Sequence, residues 1–244
     1  MSYTTVFKRY ELKYLLTRKE RELVLAGMAP FMELDGYGRT VIRNVYYDTD
    51  TYRLIRHSIE KPPFKEKLRL RSYERAEAGS TVFVELKRKY HHTVYKRRVP
   101  LAEADAVAWL AGAGPPDLTG QIIREVDYFL SYYETLAPRV FLSYEREAYR
   151  MEGSDFRVTF DENILARREA LSLCEEVGGT PLLPEDAVLM ELKCSGGIPL
   201  FMTSLLTRYA IRRASFSKYG VAYTKLIYNQ TEDTTYGKPV SRTF

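Results

Sequence analysis

Apolar and polar positions alternate with a period of two through FKEKLRLRSY at 64–73, STVFVELKRKY at 80–90 and TVYKRRVPL at 93–101, with short turn-forming stretches between them. Successive side chains of a strand point to opposite faces, so this pattern predicts an antiparallel meander of three strands. The same alternation predicts strands over 5–14, 39–48, 139–150, 155–164 and 187–194. Helical spacing takes over elsewhere. Thr17-Arg-Lys-Glu20 is a capping-box pattern that opens a helix running to about Ala29, with Pro30 behind it. Asp48 or Thr49 is placed to cap a short helical turn, while 103–111 and 119–135 read as helices broken by GAGPPD. PLFMTSLLTRYAI and SKYGVAYTKLIY add helical candidates near the end. Eight strands spread along the chain with helices between them predict an α+β fold, a single domain over residues 1–230 and a loosely ordered polar tail at 231–244.

One tripeptide recurs on these strands. Glu-Leu-Lys occurs at Glu11–Lys13, Glu85–Lys87 and Glu191–Lys193, and in each case the acid and the base share a face while apolar residues occupy the other. Lys65, Lys67, Arg69 and Arg71 likewise share a face backed by Leu68 and Leu70, and Lys96, Arg98, Arg146 and Arg157 extend the pattern to further strands. A sheet with one face in water alternates in the same way. Basic faces on about six strands favour the other arrangement, an antiparallel β-barrel enclosing a charged tunnel with helices packed outside. Like charges gathered in a lumen repel one another and are costly to desolvate, so such a tunnel suits a multiply charged anion, with Arg offering bidentate geometry and Lys a movable point charge. Each glutamate is open to two roles: an ion pair with a neighbouring lysine, or a ligand to Mg²⁺ or Mn²⁺ that is also bound by phosphate oxygens.

Composition narrows the classes. The net charge is +5, and the block from Lys65 to Arg98 holds eleven Lys or Arg against four Glu, a local excess of seven that points to an anionic partner. No run of eighteen apolar residues and no signal-peptide core appears, so the expected compartment is the cytoplasm, with no transmembrane segment; a partner at a membrane stays open. Cys174 and Cys194 form no metal or disulfide pattern. The absence of a GxxxxGK[ST] loop excludes a P-loop nucleotide site. His91-His92 reads as a hairpin turn, and Ser195 has no partnered His for nucleophilic chemistry.

In order along the chain, FKRYELKYLL, RNVYYDT, KLRLRSY, VFVELKRK with VYKRR, LSYEREAYR, FRVTFDENI, VLMELK and FSKYG resemble the polyphosphate polymerase domain of the vacuolar transporter chaperone (VTC) family, within the CYTH-like triphosphate tunnel metalloenzymes. The resemblance spans about residues 5–228 and implies a tunnel-forming barrel that transfers the γ-phosphoryl group of ATP to a growing polyphosphate chain with Mn²⁺ or Mg²⁺. By position in those motifs it implies phosphate binding by Lys13, Arg69, Arg71, Lys87, Lys96, Arg146, Arg157, Ser217 and Lys218, and metal binding by Glu191. Glu11, Glu85 and Lys193 are further metal or tunnel candidates. Where family members carry a base two residues before the serine of the Ser-Lys pair, this chain has Ser215.

Two other readings compete. A triphosphatase would use the same tunnel to hydrolyse inorganic or nucleoside triphosphate, but such enzymes usually carry Glu-x-Glu-x-Lys near the start, and here Arg9 precedes Glu11 and Lys13. A non-enzymatic module would bind polyphosphate, or stack nucleic acid on some of the twenty tyrosines. Most of those tyrosines lie in amphipathic elements where packing is the commoner use, so the expected partners are ATP and polyphosphate, with no nucleic acid.

Overall fold

The computed structural model describes residues 10–91, 93–115 and 119–229. The tail at 231–244, the start of the strand expected over 5–14 with its Arg9, and His92 lie outside the described residues. Strands β1 (Tyr10–Thr17), β2 (Glu33–Leu34), β3 (Thr40–Asp48), β4 (Phe64–Ser72), β5 (Thr81–Tyr90), β6 (Thr93–Ala102), β7 (Ala137–Arg150), β8 (Arg157–Arg167), β9 (Thr180–Pro181), β10 (Ala187–Cys194) and β11 (Arg213–Ala214) form one sheet. Its main path runs β11-β1-β10-β8-β7-β3-β4-β5-β6 with every pairing antiparallel. Helices α1 (Arg18–Met28), α2 (Arg53–Ile59), α3 (Glu103–Ala108), α4 (Gln121–Tyr133), α5 (Leu200–Arg208) and α6 (Lys218–Tyr223) lie between strands, with π-helical turns at Trp109–Ala113 and Thr224–Tyr228.

Local sequence accounts for the boundaries. Thr17 and Glu20 make the reciprocal capping box that starts α1. Asp48 and Thr49 divide the capping of α2: the Asp48 carboxylate accepts from the Leu54 and Ile55 amides, and Thr49 Oγ1 accepts from Arg53 N. The β4-β5-β6 meander has the expected register, with Lys67 opposite Lys87 and Lys87 opposite Lys96. Bulges between Tyr46 and Tyr47 and between Ser143 and Glu145 bend the longest strands.

Two apolar layers coat the outside of the sheet. α3, α4 and Trp109 pack on Leu68, Leu70, Val84 and Leu86, while α1 and α5 pack on Leu16, Val158, Phe160, Met190 and Leu192. A third cluster differs: Tyr219, Tyr223 and Leu226 pack against Ile42, Tyr46, Leu142 and Leu189, which alternate with outward residues and so belong to the inner face. The helices therefore sit outside as expected except for α6, which enters the concavity and fills one end with apolar side chains.

The barrel is closed by side chains. The hydrogen-bonded path ends at β11 and β6 without joining them, yet Lys87 Nζ on β5 lies 3.2 Å from Glu11 Oε2 on β1. Lys67 Nζ on β4 reaches Ser217 Oγ at 3.1 Å, beside β11. The sheet thus curls until its two ends face each other across a seam of ion pairs and α6. Among the described residues no helix is long and apolar enough to cross a membrane.

Candidate functional site

Alternation along the curled strands sends the charged set inward. Among the described residues, between the strand ends, the inner face carries twelve bases, Lys13, Lys65, Lys67, Arg69, Arg71, Lys87, Lys89, Lys96, Arg98, Arg146, Lys193 and, from α6, Lys218. Against them stand four carboxylates, Glu11, Glu85, Asp161 and Glu191, so bases outnumber acids by eight among the described residues.

Three linked groups result. On one wall the Glu85 carboxylate, 1% exposed, takes Arg69 at 2.6 Å, Lys96 at 2.5 Å and Arg71 at 3.7 Å. Tyr46 hydroxyl accepts from Arg69 Nη1 at 3.0 Å, and Asn44 Oδ1 and Tyr144 hydroxyl accept from Arg71 at 2.9 and 3.1 Å, so both guanidinium planes are fixed. Opposite, Asp161 accepts two bonds from Arg146 at 2.6 and 2.7 Å and lies 2.5 Å from Lys218. Glu191 joins that pair and the β1 wall, with Lys193 at 2.8 Å, Lys218 at 3.4 Å, Arg146 at 3.5 Å and Lys13 at 3.6 Å. Glu11 bridges Lys13 at 3.3 Å and Lys87 at 3.2 Å, tying β1 to β5.

These contacts set the protonation states. Burial pushes the Glu191 carboxyl up, but Lys193, Lys218, Lys13 and Arg146 outweigh it and hold it well below the usual carboxylate range. Glu85 behaves alike, with Arg71, Arg69 and Lys96 overcoming burial, and Glu11 is held down chiefly by Lys87. Asp161 is kept low against its burial by Arg146 and Lys218. The lysines diverge: burial lowers Lys96 to about 7 despite Glu85, whereas Asp161 and Glu191 raise Lys218 against its burial. The four acids are therefore anions matched to cations, the reverse of a dry core.

Of the residues singled out from the sequence, Glu11, Lys13, Arg69, Arg71, Glu85, Lys87, Lys96, Arg146, Glu191, Lys193, Ser217 and Lys218 converge on this lumen. Arg157 does not join them; its guanidinium pairs with Asp35 at 2.9 Å at the rim and is 45% exposed. Ser215 is exposed and brings no charge. Asp161 was not among the expected residues, although it stands four positions beyond Arg157 in RVTFD and so shares its strand face; two steps of alternation locate it. Lys67, expected on the same face as Arg69, lies in the lumen as well.

Among the described residues no group of three or more His, Cys, Asp or Glu side chains gathers to hold a metal alone. Glu191 with Glu11, both in contact with Lys13, offers two ionised carboxylates. Mg²⁺ characteristically binds through one or two carboxylates together with substrate phosphates, so this donor set fits an open site completed by substrate.

The VTC domain model matches residues 8–227 of the chain. No curated protein sequence matches it. Among solved structures, a putative adenylate cyclase from Bacillus halodurans superposes with a TM-score of 0.56 at 15% identity, covering 88% of this chain and 96% of its own. A putative adenylyl cyclase from Hippeastrum, described as having a dominant triphosphatase activity, gives a TM-score of 0.54 at 16% identity, covering 88% and 95%. At such identities the two structures bear on the fold alone, and both support the tunnel architecture. With the family model spanning all but the ends of the sequence, the chain belongs to the VTC domain family.

Proposed function

We propose that this chain is a metal-dependent polyphosphate polymerase, transferring the γ-phosphoryl group of ATP to the terminal phosphate of a polyphosphate chain inside the basic tunnel. A triphosphate-handling tunnel is what the family and fold support; the surplus of bases, twelve against four carboxylates among the described lumen residues, carries the step to a polymerase. One nucleoside triphosphate neutralises only part of that excess, leaving charge to hold a second anion beside it. Phosphoryl transfer asks the protein for positioning and charge neutralisation more than covalent chemistry. Arg69 and Arg71, held rigid by Glu85, Tyr46, Asn44 and Tyr144, present fixed guanidinium donors to the phosphates. Lys13, Lys87, Lys193 and Lys218 exchange their carboxylate partners for phosphate oxygens as the anion enters. Glu191 and Glu11 would then hold a divalent ion, Mg²⁺ or Mn²⁺, which when bound would supply neutralisation of charge on the transferring group. The attacking oxygen belongs to an ionised phosphate, so no general base is needed, and the lumen carboxylates Glu85, Asp161 and Glu191 are all held below the usual carboxylate range.

The Hippeastrum neighbour favours one rival, hydrolysis of a triphosphate in the same tunnel. Products separate the two: the protein incubated with ATP and Mn²⁺, then Mg²⁺, yields polymer in the proposed case and only free phosphate in the other. Polymer formation should be lost in Arg69→Ala and Glu191→Gln; unchanged synthesis in both would overturn the site assignment. Action in the cytoplasm is part of this proposal.

A further inference from the structure

At one end of the lumen the inward positions of three neighbouring strands stop being charged. On β4 the run of bases ends at Arg71, with Tyr73 next in the alternation; on β5 Glu85 gives way to Phe83, and on β6 Arg98 gives way to Pro100. Register gathers these positions, with Phe83 opposite both Arg71 and Pro100, and Arg98 opposite Glu85. Tyr73 meets Phe83 edge-on, their ring centroids 5.6 Å apart at 77°, and the Arg98 guanidinium lies over the Phe83 ring at 4.6 Å. Both rings are therefore held in place, yet Tyr73 is 40% exposed, Phe83 is partly exposed, and neither belongs to the three apolar clusters that pack the helices. The opposite end of the tunnel is the one α6 takes up: Tyr219 bonds to Asp48 at the last residue of β3, and Arg168, just past β8, donates to the Leu226 carbonyl.

A chain of phosphates gains nothing from a π-face. A nucleobase does, since every base stacks on aromatic rings, and an arginine plane beside the ring adds to the platform. We propose that Tyr73, Phe83 and Arg98 form a nucleobase subsite at the end of the tunnel away from α6, where the base of a nucleoside triphosphate stacks on Tyr73 and its triphosphate runs inward to Arg71 and Arg69. Tyr73 stands two residues from Arg71, about 7 Å along an extended chain, which leaves room for the sugar between base and α-phosphate. That the nucleotide is the phosphoryl donor for chain growth rests on the polymerase reading; the preference for a nucleoside over an inorganic triphosphate does not.

The test is calorimetric titration of the full chain with ATP and with inorganic tripolyphosphate, in EDTA so that metal-dependent turnover does not consume either ligand. Tyr73→Ala should weaken ATP binding at least about fivefold, the loss of one stacked base, while tripolyphosphate affinity stays within about twofold. Tyr73→Phe keeps the π-face and should retain ATP affinity. Tyr73→Leu keeps apolar bulk without the π-face and should lose ATP affinity selectively, whereas a ring that only packs against Phe83 would tolerate it; if Tyr73→Ala does not fold, this variant decides alone. ATP affinity unchanged in Tyr73→Ala and Tyr73→Leu, or lost together with tripolyphosphate affinity, would overturn the subsite, as would a wild type that fails to bind ATP. Products formed from ATP with Mn²⁺ bear on the polymerase reading separately. Tyr73-dependent ATP binding with release of free phosphate alone would sink the polymerase and leave the subsite, and polymer formation with Tyr73-independent ATP binding would do the reverse.

Discussion

Glu85→Gln isolates the role of the lumen carboxylates as internal counter-ions. The substitution conserves shape and removes one negative charge from a group 1% exposed, against which Arg69, Lys96 and Arg71 lie at 2.6, 2.5 and 3.7 Å. Removing one partner of a buried ion pair costs about 3–5 kcal/mol, because the remaining charge is left uncompensated. Three cations are left here, yet the lumen admits water, so the lower part of that range applies. For a domain of this size about 1 kcal/mol shifts the melting temperature by about 2–4 °C, which gives a fall of about 6–12 °C. Thermal melting, followed by the fluorescence of the single tryptophan, buried Trp109, reads it directly. A polyphosphate ligand restores negative charge to Arg69, Arg71 and Lys96, so saturating tripolyphosphate should raise the melting temperature of Glu85→Gln more than that of the wild type. Equal stabilisation of the two proteins, or a ligand-free variant that melts with the wild type, would refute the counter-ion account.

Asp161→Asn removes the anchor of Arg146 and Lys218 while leaving both in place. It should lower kcat by about a hundredfold with a smaller change in KM, since misplacing a catalytic group by about 1 Å costs that much; steady-state kinetics on ATP checks it. Lys67 and Lys96 are both depressed to about 7 from 10.5, so between those values the unfolded chain binds more protons than the folded one. Their contribution to ligand-free stability should therefore rise with pH across that window and be least favourable below about 7, while tripolyphosphate affinity falls over the same window; melting and titration at about pH 6.5 and about pH 9 test both signs. The depressed carboxylates do not interfere, because their stabilisation is lost only as pH falls from the usual carboxylate range downward, below this window.

What the sequence disclosed and what it hid divide along a physical line. Period-two alternation is local, so the faces of β4, β5 and β10 and the shared side of each Glu-Leu-Lys were legible, as were the capping box at Thr17 and the caps at Asp48 and Thr49. Register is not local: that Glu11 lies opposite Lys193 and Lys13 opposite Glu191 depends on β1 pairing with a strand some 180 positions away. β2, β9 and β11 are two residues long and leave no periodic trace. Helical spacing in SKYGVAYTKLIY gave a helix but could not say which wall it faces. Arg157 shows the limit of alternation, since its guanidinium finds Asp35, a loop residue more than a hundred positions earlier.

The inward position of α6 has a consequence for how the molecule is made. Before residues 217–219 arrive, Asp161 has no Lys218, and Asp48, fully buried, has no Tyr219 hydroxyl at 2.9 Å. The seam is equally incomplete, since Lys67 and Lys13 contact Ser217 and Phe216. Every strand of the tunnel precedes this segment in the chain, and contacts so distant in sequence form late in folding. The interior of the lumen is thus complete only once this segment has docked on the strands. A chain cut short of α6 keeps its sheet-forming sequence but lacks Lys218 and the Ser217 and Tyr219 hydroxyls, leaving Asp161, Lys67 and Asp48 each short of the partner this segment supplies inside the sheet.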